Sequence, residues 1–375
     1  MSDIRELLTC CREICQNPRA QLHKAVENGR KVVGVLPYYC PEELVYAAGM
    51  LPFGLWGAEL QVSEAKRYFP AFICSLLQTT LELGIRGDLD ELSAIMVPNC
   101  CDSLKSMGTN WEYGVKHVPV INVSYAQNRK MEAGIAFTAA QFRKNKAQLE
   151  TIAGHVIRDD EIASAVAVYN ENRLALQAFV KAAALHPELV SPLDRCCVLK
   201  AGYFMDRKAH TELVNALTEA LSAAEEKQWD GLRLVTTGIL ADSTELLQIL
   251  EQYHVAIAAD QMAHESASFS DLTPVTEDPI YGMAQRLANI EGCCVLYDPG
   301  KKRGEELLKL VRETKADGVL WVMTKFCDPE EFDHVPIKRL LDKEGIPLLT
   351  VEVDQQMVSY EQIRSAVQAF TEVLL

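Results

Sequence analysis

The run Pro98-Asn99-Cys100-Cys101-Asp102-Ser103-Leu104 sets two thiols between an apolar stretch, Leu92 to Val97, and a segment of helical character from Ser103 to about Val115. A thiol at the mouth of a helix is favoured as thiolate, because the unpaired N–H groups there carry partial positive charge. The arrangement recurs downstream, where the apolar run Gly318 to Met323 leads into Thr324-Lys325-Phe326-Cys327-Asp328-Pro329-Glu330. Ligands of α/β proteins bind at the carboxyl ends of strands, so the two Cys-Asp dipeptides are expected to face one site. Cys74 joins them from a segment where a helix begins after Pro70. Three or four thiols meeting from separate loops suit a soft metal, either zinc or an iron–sulfur cluster. No C-x-x-C pair occurs, so zinc-ribbon and thioredoxin-type signals are absent.

Most of the twelve cysteines have a plainer reading. Free Cys packs as a small hydrophobe. The pairs Cys10-Cys11, Cys196-Cys197 and Cys293-Cys294 sit in or beside apolar elements with no Asp or His adjoining, and are expected in cores. Cys40, at a helix start, is read as a packing thiol that could also reach the site. The loop Tyr297-Asp298-Pro299-Gly300-Lys301-Lys302-Arg303-Gly304 combines a glycine turn with cations that could cradle a phosphate. It lacks a dinucleotide or P-loop pattern and reads better as a solvated loop. His264-Glu265 could serve acid–base chemistry, though a loop histidine is expected to be exposed. Trp111 and Trp321 are expected in the core.

The elements that must position these thiols follow a β-α rhythm. Apolar runs at Lys31 to Pro37, Leu51 to Trp56, Leu92 to Val97 and Val118 to Val123 alternate with helical patterns, as in an open parallel sheet covered by helices. Cys40-Pro41-Glu42-Glu43-Leu44 suits a helix N-terminus, with proline and acids in its first turn. Residues 128–230 lose the strand pattern and read as a block of four or five helices. Strand rhythm returns at Leu232 to Gly238, Val255 to Ala259, Cys294 to Tyr297, Gly318 to Met323 and Pro347 to Val351. The expected class is α/β: two open parallel-sheet domains, residues 1–127 and 231–375, joined by a helical block, residues 128–230.

The formal charge of −15 argues against nucleic acid or anionic membranes as partners, since both select basic patches. Residues Met1 to Arg12 lack the order of a signal peptide, and no run approaches the roughly 18 apolar residues of a membrane span. A cytoplasmic, reducing location is expected, where metal binding or buried thiols outrank disulfides.

The run Gly34…Pro37-Tyr38…Pro41-Glu42-Glu43-Leu44…Ala47-Ala48-Gly49-Met50-Leu51-Pro52 resembles the opening of the 2-hydroxyacyl-CoA dehydratase family, which includes the benzoyl-CoA reductase subunits. So does the ordered set Cys74, Pro98…Cys101-Asp102 and Phe326-Cys327-Asp328. The resemblance extends over essentially the whole chain and is strongest to a β subunit of an (R)-2-hydroxyglutaryl-CoA dehydratase-like enzyme. It implies a [4Fe–4S] cluster held by Cys74, Cys101 and Cys327, with Cys101 preferred over Cys100 because Asp102 follows it. It further implies a hydro-lyase in which one electron, added to the thioester carbonyl, gives a ketyl radical that expels the α-hydroxyl. The implied partners are a related α subunit, an ATP-hydrolysing iron–sulfur activator and the 2-hydroxyacyl-CoA; a flavin is a second candidate cofactor. The alternatives are a subunit of a benzoyl-CoA reductase-type enzyme, or a non-catalytic subunit that binds coenzyme A esters.

Overall fold

The structure, a computed structural model, describes residues 3–36 and 39–375. Pro37 and Tyr38, part of the family-like opening run, lie outside the described residues. In chain order the elements are α1 (Ile4–Gln16), α2 (Pro18–Glu27), β1 (Val32–Val35), α3 (Glu42–Ala47), β2 (Leu51–Gly54), α4 (Ser75–Ile85), β3 (Ala94–Pro98), α5 (Asp102–Gly114) and β4 (Val120–Val123). Then come α6 (Glu132–Ala153), α7 (Asp159–Leu185), α8 (Pro192–Ala201) and α9 (Arg207–Ser222). The remainder is β5 (Leu232–Gly238), α10 (Thr244–Gln252), β6 (Val255–Met262), α11 (Pro279–Asn289), α12 (Arg303–Thr314), β7 (Gly318–Thr324), α13 (Asp328–Lys343), β8 (Leu348–Val353) and α14 (Glu361–Leu374). Among the described residues no helix is long and apolar enough to cross a membrane.

The strands form two four-stranded parallel sheets, ordered β2-β1-β3-β4 and β6-β5-β7-β8. The fold class is therefore the expected α/β one. β1 and β3 are buried throughout, which explains why they read as continuous apolar runs without alternation. Both sheets share one order, second-first-third-fourth, so each reverses direction between its first and third strands. Loops diverge at such a reversal and leave a crevice at the strand ends.

Cys294 to Tyr297, expected as a strand, is instead a bent loop. The N–H groups of Val295 and Leu296 both turn onto the Cys293 sulfur at 3.4 Å, so they cannot serve a ladder. A short apolar run at a core surface has the same pattern as a short strand. His264 is likewise not exposed: it is 1% accessible, packed edge-on to Trp56 and stacked on Tyr203. Burial of both flanking aromatics took the loop inward. Trp111 and Trp321 are core residues, with their indole N–H groups donating to Val118 O and Glu330 Oε1, each at 3.1 Å.

Buried ion pairs lock the first sheet to the helical block. Glu42 and Glu43, at the start of α3, accept from Arg207 (2.7 Å) and Arg173 (2.6 Å), which come from α9 and α7. Arg195 on α8 reaches the other way, pairing with Asp260 and Glu265 at the end of β6. Leaving any of these charges buried without its partner would cost several kcal/mol, roughly 3–5.

Candidate thiol site between the two sheets

Cys74, Cys101 and Cys327 are each the N-cap residue of a helix: α4, α5 and α13 respectively. Three helix N-termini thus aim their partial positive charge at one cleft of about 670 Å³, which these sulfurs line together with Cys100, Cys293 and Cys294. Cys101 uses its cap position directly, its sulfur accepting the Leu104 N–H at 3.4 Å. Cys100, one residue earlier, lines the same cleft on the side toward Cys293.

Each thiol is fixed by distant chain. Cys327 follows Phe326, whose φ of +62° is a left-handed conformation that a bulky residue adopts at a cost of roughly 1–3 kcal/mol. Glu330 supports that turn from the first turn of α13. Its carboxylate accepts the Thr324 N–H and the Trp321 indole N–H, both at 3.1 Å, and faces the Arg303 guanidinium at 3.5 Å. Burial pushes the Glu330 carboxyl above its ordinary range, while Arg303 works against the shift. Arg303 in turn lies 4.5 Å over the Trp321 ring. Beside Cys74, Ser75 Oγ accepts the Gln355 N–H at 3.0 Å, and the Gln355 side chain donates to Trp56 O at 2.7 Å. Gln355 follows β8, so the first sheet's thiol is registered against the second sheet. Arg129 clamps the wall that carries Cys293 and Cys294, donating to the carbonyls of Leu287, Ile290 and Tyr297.

The Tyr297 to Gly304 loop is solvated from Pro299 to Lys302, as its sequence suggests, whereas Arg303 turns inward and is 4% accessible. Asp298 closes the loop on itself by accepting the N–H groups of Gly300 (2.9 Å) and Lys302 (3.0 Å). Cys293 and Cys294 are buried, as the packing reading requires, and they also form a wall of the cleft. Cys293 is in contact with the Tyr39 hydroxyl at 2.8 Å. Cys40 is buried away from the cleft, donating to Leu36 O at 3.1 Å.

The thiols behave as a set. Burial pushes Cys74 up to about 12, and neighbouring Cys101 adds to the rise. Burial also raises Cys101 and Cys327, the latter further disfavoured as thiolate by Glu330, Cys74 and Cys101. Such a cluster is deprotonated by a bound cation, which supplies the positive charge that burial denies. Among the described residues no three His, Cys, Asp or Glu side chains gather tightly enough to hold one ion. A tetrahedral zinc would draw its sulfurs to within about 4 Å of each other. An iron–sulfur cluster takes its thiolates on different irons and so accepts a wider set. Cys74, Cys101 and Cys327 are the residues of this cleft that could hold a thiolate-bound group.

Cys293 and Cys294 could have been found by their position in a crossover segment, had that segment not read as a strand. Glu330 sat in plain view in the Asp-Pro-Glu-Glu start of α13. Nothing in the local sequence marked Gln355 or Arg129.

Residues 37–374 match the profile of the family described as 2-hydroxyglutaryl-CoA dehydratase, D-component. The chain is 46% identical to the (R)-phenyllactyl-CoA dehydratase beta subunit of Clostridium sporogenes, with 100% of both chains covered. It is 38% identical to the lactoyl-CoA dehydratase subunit beta of Anaerotignum propionicum, again over 100% of each. Against the (R)-2-hydroxyglutaryl-CoA dehydratase subunit beta of Acidaminococcus fermentans the identity is 37%, covering 99% of this chain and 100% of that one.

Proposed function

This chain belongs to the 2-hydroxyglutaryl-CoA dehydratase D-component family, and from that premise we propose that it is the β-type subunit of a [4Fe–4S] enzyme removing water from a 2-hydroxyacyl-CoA. The observation that carries the reading is the convergence of Cys74, Cys101 and Cys327, all helix N-caps, on one cleft at the carboxyl ends of both sheets. These three residues would hold the cluster, with Cys101 rather than Cys100 in the cap position. Bound there, the group would supply the low-potential single electron that a ketyl-type dehydration needs, because the β proton of the substrate is not acidified by the thioester.

The chain's own residues have separate tasks. The N-termini of α4, α5 and α13 offset the negative charge of a thiolate-bound cluster. Leu296, Phe326 and Ile337 supply the apolar part of the cleft wall that the thiols share. Glu330 and Gln355 hold Cys327 and Cys74 in register across the two sheets. The partner in this reading is a related α subunit that receives the substrate, with an ATP-hydrolysing activator supplying the starting electron. Relatives that carry the name beta subunit support such a division of labour.

Reconstitution tests it. This chain, the α-type subunit, activator, ATP and a reductant are mixed anaerobically with a 2-hydroxyacyl-CoA, and each is omitted in turn. Enoyl-CoA should form only in the full mixture. Full-rate turnover without this chain, or by this chain with activator alone, would remove the proposed role.

A further inference from the structure

Beside the loops that carry Cys74 and Cys327 lies a second, smaller cavity of about 30 Å³, room for a bare ion or a water. Ser75 at the start of α4, Leu240 to Ser243 after β5, Thr324 at the end of β7 and Asp354 after β8 line it, with Glu59 and Tyr360. Three strands of the second sheet thus end at the cavity, and Ser75 and Glu59 close it from the first half of the chain. Three carboxylates line it, those of Glu59, Asp242 and Asp354, and among the described residues no Lys or Arg does. Thr324 marks the cavity independently. It is 6% accessible, its N–H donates to Glu330 at 3.1 Å and its carbonyl accepts the Cys327 N–H at 3.0 Å, yet its hydroxyl has no partner among the described residues. A buried hydroxyl is almost always partnered, by protein, by water or by an ion.

The charge balance selects the guest. Lys200 on α8 pairs with Asp242 and offsets it. Asp354 accepts the Gln356 N–H at 2.8 Å and Glu59 accepts the Tyr360 hydroxyl at 3.2 Å, both neutral donors. The helices α4, α10 and α14 begin at this wall, each bringing roughly half a positive charge. α10 and α14 carry Glu245 and Glu361 in their own first turns, whereas α4 begins without an acid. Glu59 is exposed and screened by water, which leaves roughly one negative charge, centred on half-buried Asp354. A divalent ion of this size draws its ligands mainly from carboxylates. Among the described residues no three acidic, His or Cys side chains gather tightly enough for that. One carboxylate completed by hydroxyl and carbonyl oxygens is instead the coordination of an alkali cation, which neutral oxygens can desolvate.

We propose that this cavity binds one dehydrated alkali cation, held by the Asp354 carboxylate and the Thr324 hydroxyl. The ion ties the end of β7, three residues before Cys327, to the turn after β8, whose Gln355 N–H already holds Ser75 beside Cys74. It fixes the two thiol loops relative to each other, and neither sulfur lines its cavity.

The test melts the full-length chain, purified anaerobically in tetramethylammonium chloride, as potassium or sodium replaces that bulky cation at one fixed ionic strength. A saturable rise in melting temperature with the alkali ions is expected, because a ligand of the folded state stabilises it by mass action. Crystals soaked in rubidium should show an anomalous peak between Thr324 Oγ1 and the Asp354 carboxylate. Thr324→Val removes the oxygen with little change of shape and should abolish the rise. Asp354→Asn, which keeps an oxygen for the Gln356 N–H, should raise the half-saturating concentration at least roughly tenfold. Equal melting temperatures in all three salts, or density for water in the cavity of rubidium-soaked crystals, would overturn the proposal. So would a rise that Thr324→Val leaves intact. The wild-type melting curves and the rubidium map decide the matter even if a variant folds poorly. None of these readouts requires the cluster, so their failure leaves the proposed dehydration untouched.

Discussion

Cys101 and Cys327 occupy the same position in two sheets of the same strand order. Each caps the helix that follows the third strand of its sheet, β3 in one and β7 in the other, beside the point where strand order reverses. The likeness extends further. Cys74 lies in the crossover from second to third strand of the first sheet, and Cys293-Cys294 lie in the corresponding crossover of the second. The cleft is therefore assembled from matching parts of two halves.

Replacing Cys74, Cys101 or Cys327 with Ser should each abolish a cluster of about four irons and four sulfides per chain. Iron and acid-labile sulfide analysis after anaerobic purification reads this directly. Cys100→Ser should retain the full complement. The reverse pattern at positions 100 and 101 would move the ligand by one residue.

Glu330→Ala should destabilise the protein by roughly 1–3 kcal/mol, because it removes one of the two carboxylates that face the buried Arg303, leaving Asp333 at 3.4 Å as the other. It also frees the Thr324 N–H and the Trp321 indole at the base of α13. Urea unfolding followed by tryptophan fluorescence gives the midpoint. An unchanged midpoint would mean that α13 is held by other contacts.

Gly238 ends β5 with φ +146°, and a Cβ there would stand 2.2 Å from the Val322 carbonyl oxygen. Gly238→Ala is expected to lose at least the roughly 1–3 kcal/mol of backbone strain. It should also disturb the contact from the Cys294 sulfur to Gly238 O, 3.4 Å in the native chain. Lower thermal stability together with faster alkylation of Cys294 is the combined signature to look for.

His210 is buried, with Nε2 donating to Val198 O at 2.9 Å and Nδ1 accepting from Asn172 at 3.0 Å. Burial, then Arg207, lowers it from 6.5 to about 4. The fold therefore binds the neutral ring, and the stability this confers is complete above pH 6.5 and is lost as pH falls through about 4. His264 titrates in the same sense, whereas Glu265, raised by burial to about 7, works in the opposite one. The difference between wild type and His210→Gln isolates the one ring. The variant should be less stable at pH 7 by about 1–3 kcal/mol, with the gap closing as the pH drops from 6.5 toward 4. A gap that stays constant across urea titrations in that window would show that His210 titrates normally.

The sequence by itself determined the alternation of strand and helix, because burial on both faces writes each parallel strand as an apolar run and each covering helix as a periodic one. It also placed Cys101 and Cys327 at strand ends and Cys74 at a helix start, since proline, acidic residues and the end of an apolar run mark those boundaries locally. The helical block was legible for the same reason, with Asp159-Asp160-Glu161 at a helix start and His186-Pro187 at a gap. Tertiary structure alone decided that the two sheets share an order, that Cys293 draws the Val295 and Leu296 amides out of any ladder, and that His264 is buried. It alone brought Gln355 to Ser75 across 280 residues and closed Glu42 and Glu43 onto arginines of the helical block. Those decisions rest on hydrogen bonds and ion pairs between distant segments, and a partner hundreds of residues away leaves no periodicity in the residues around it.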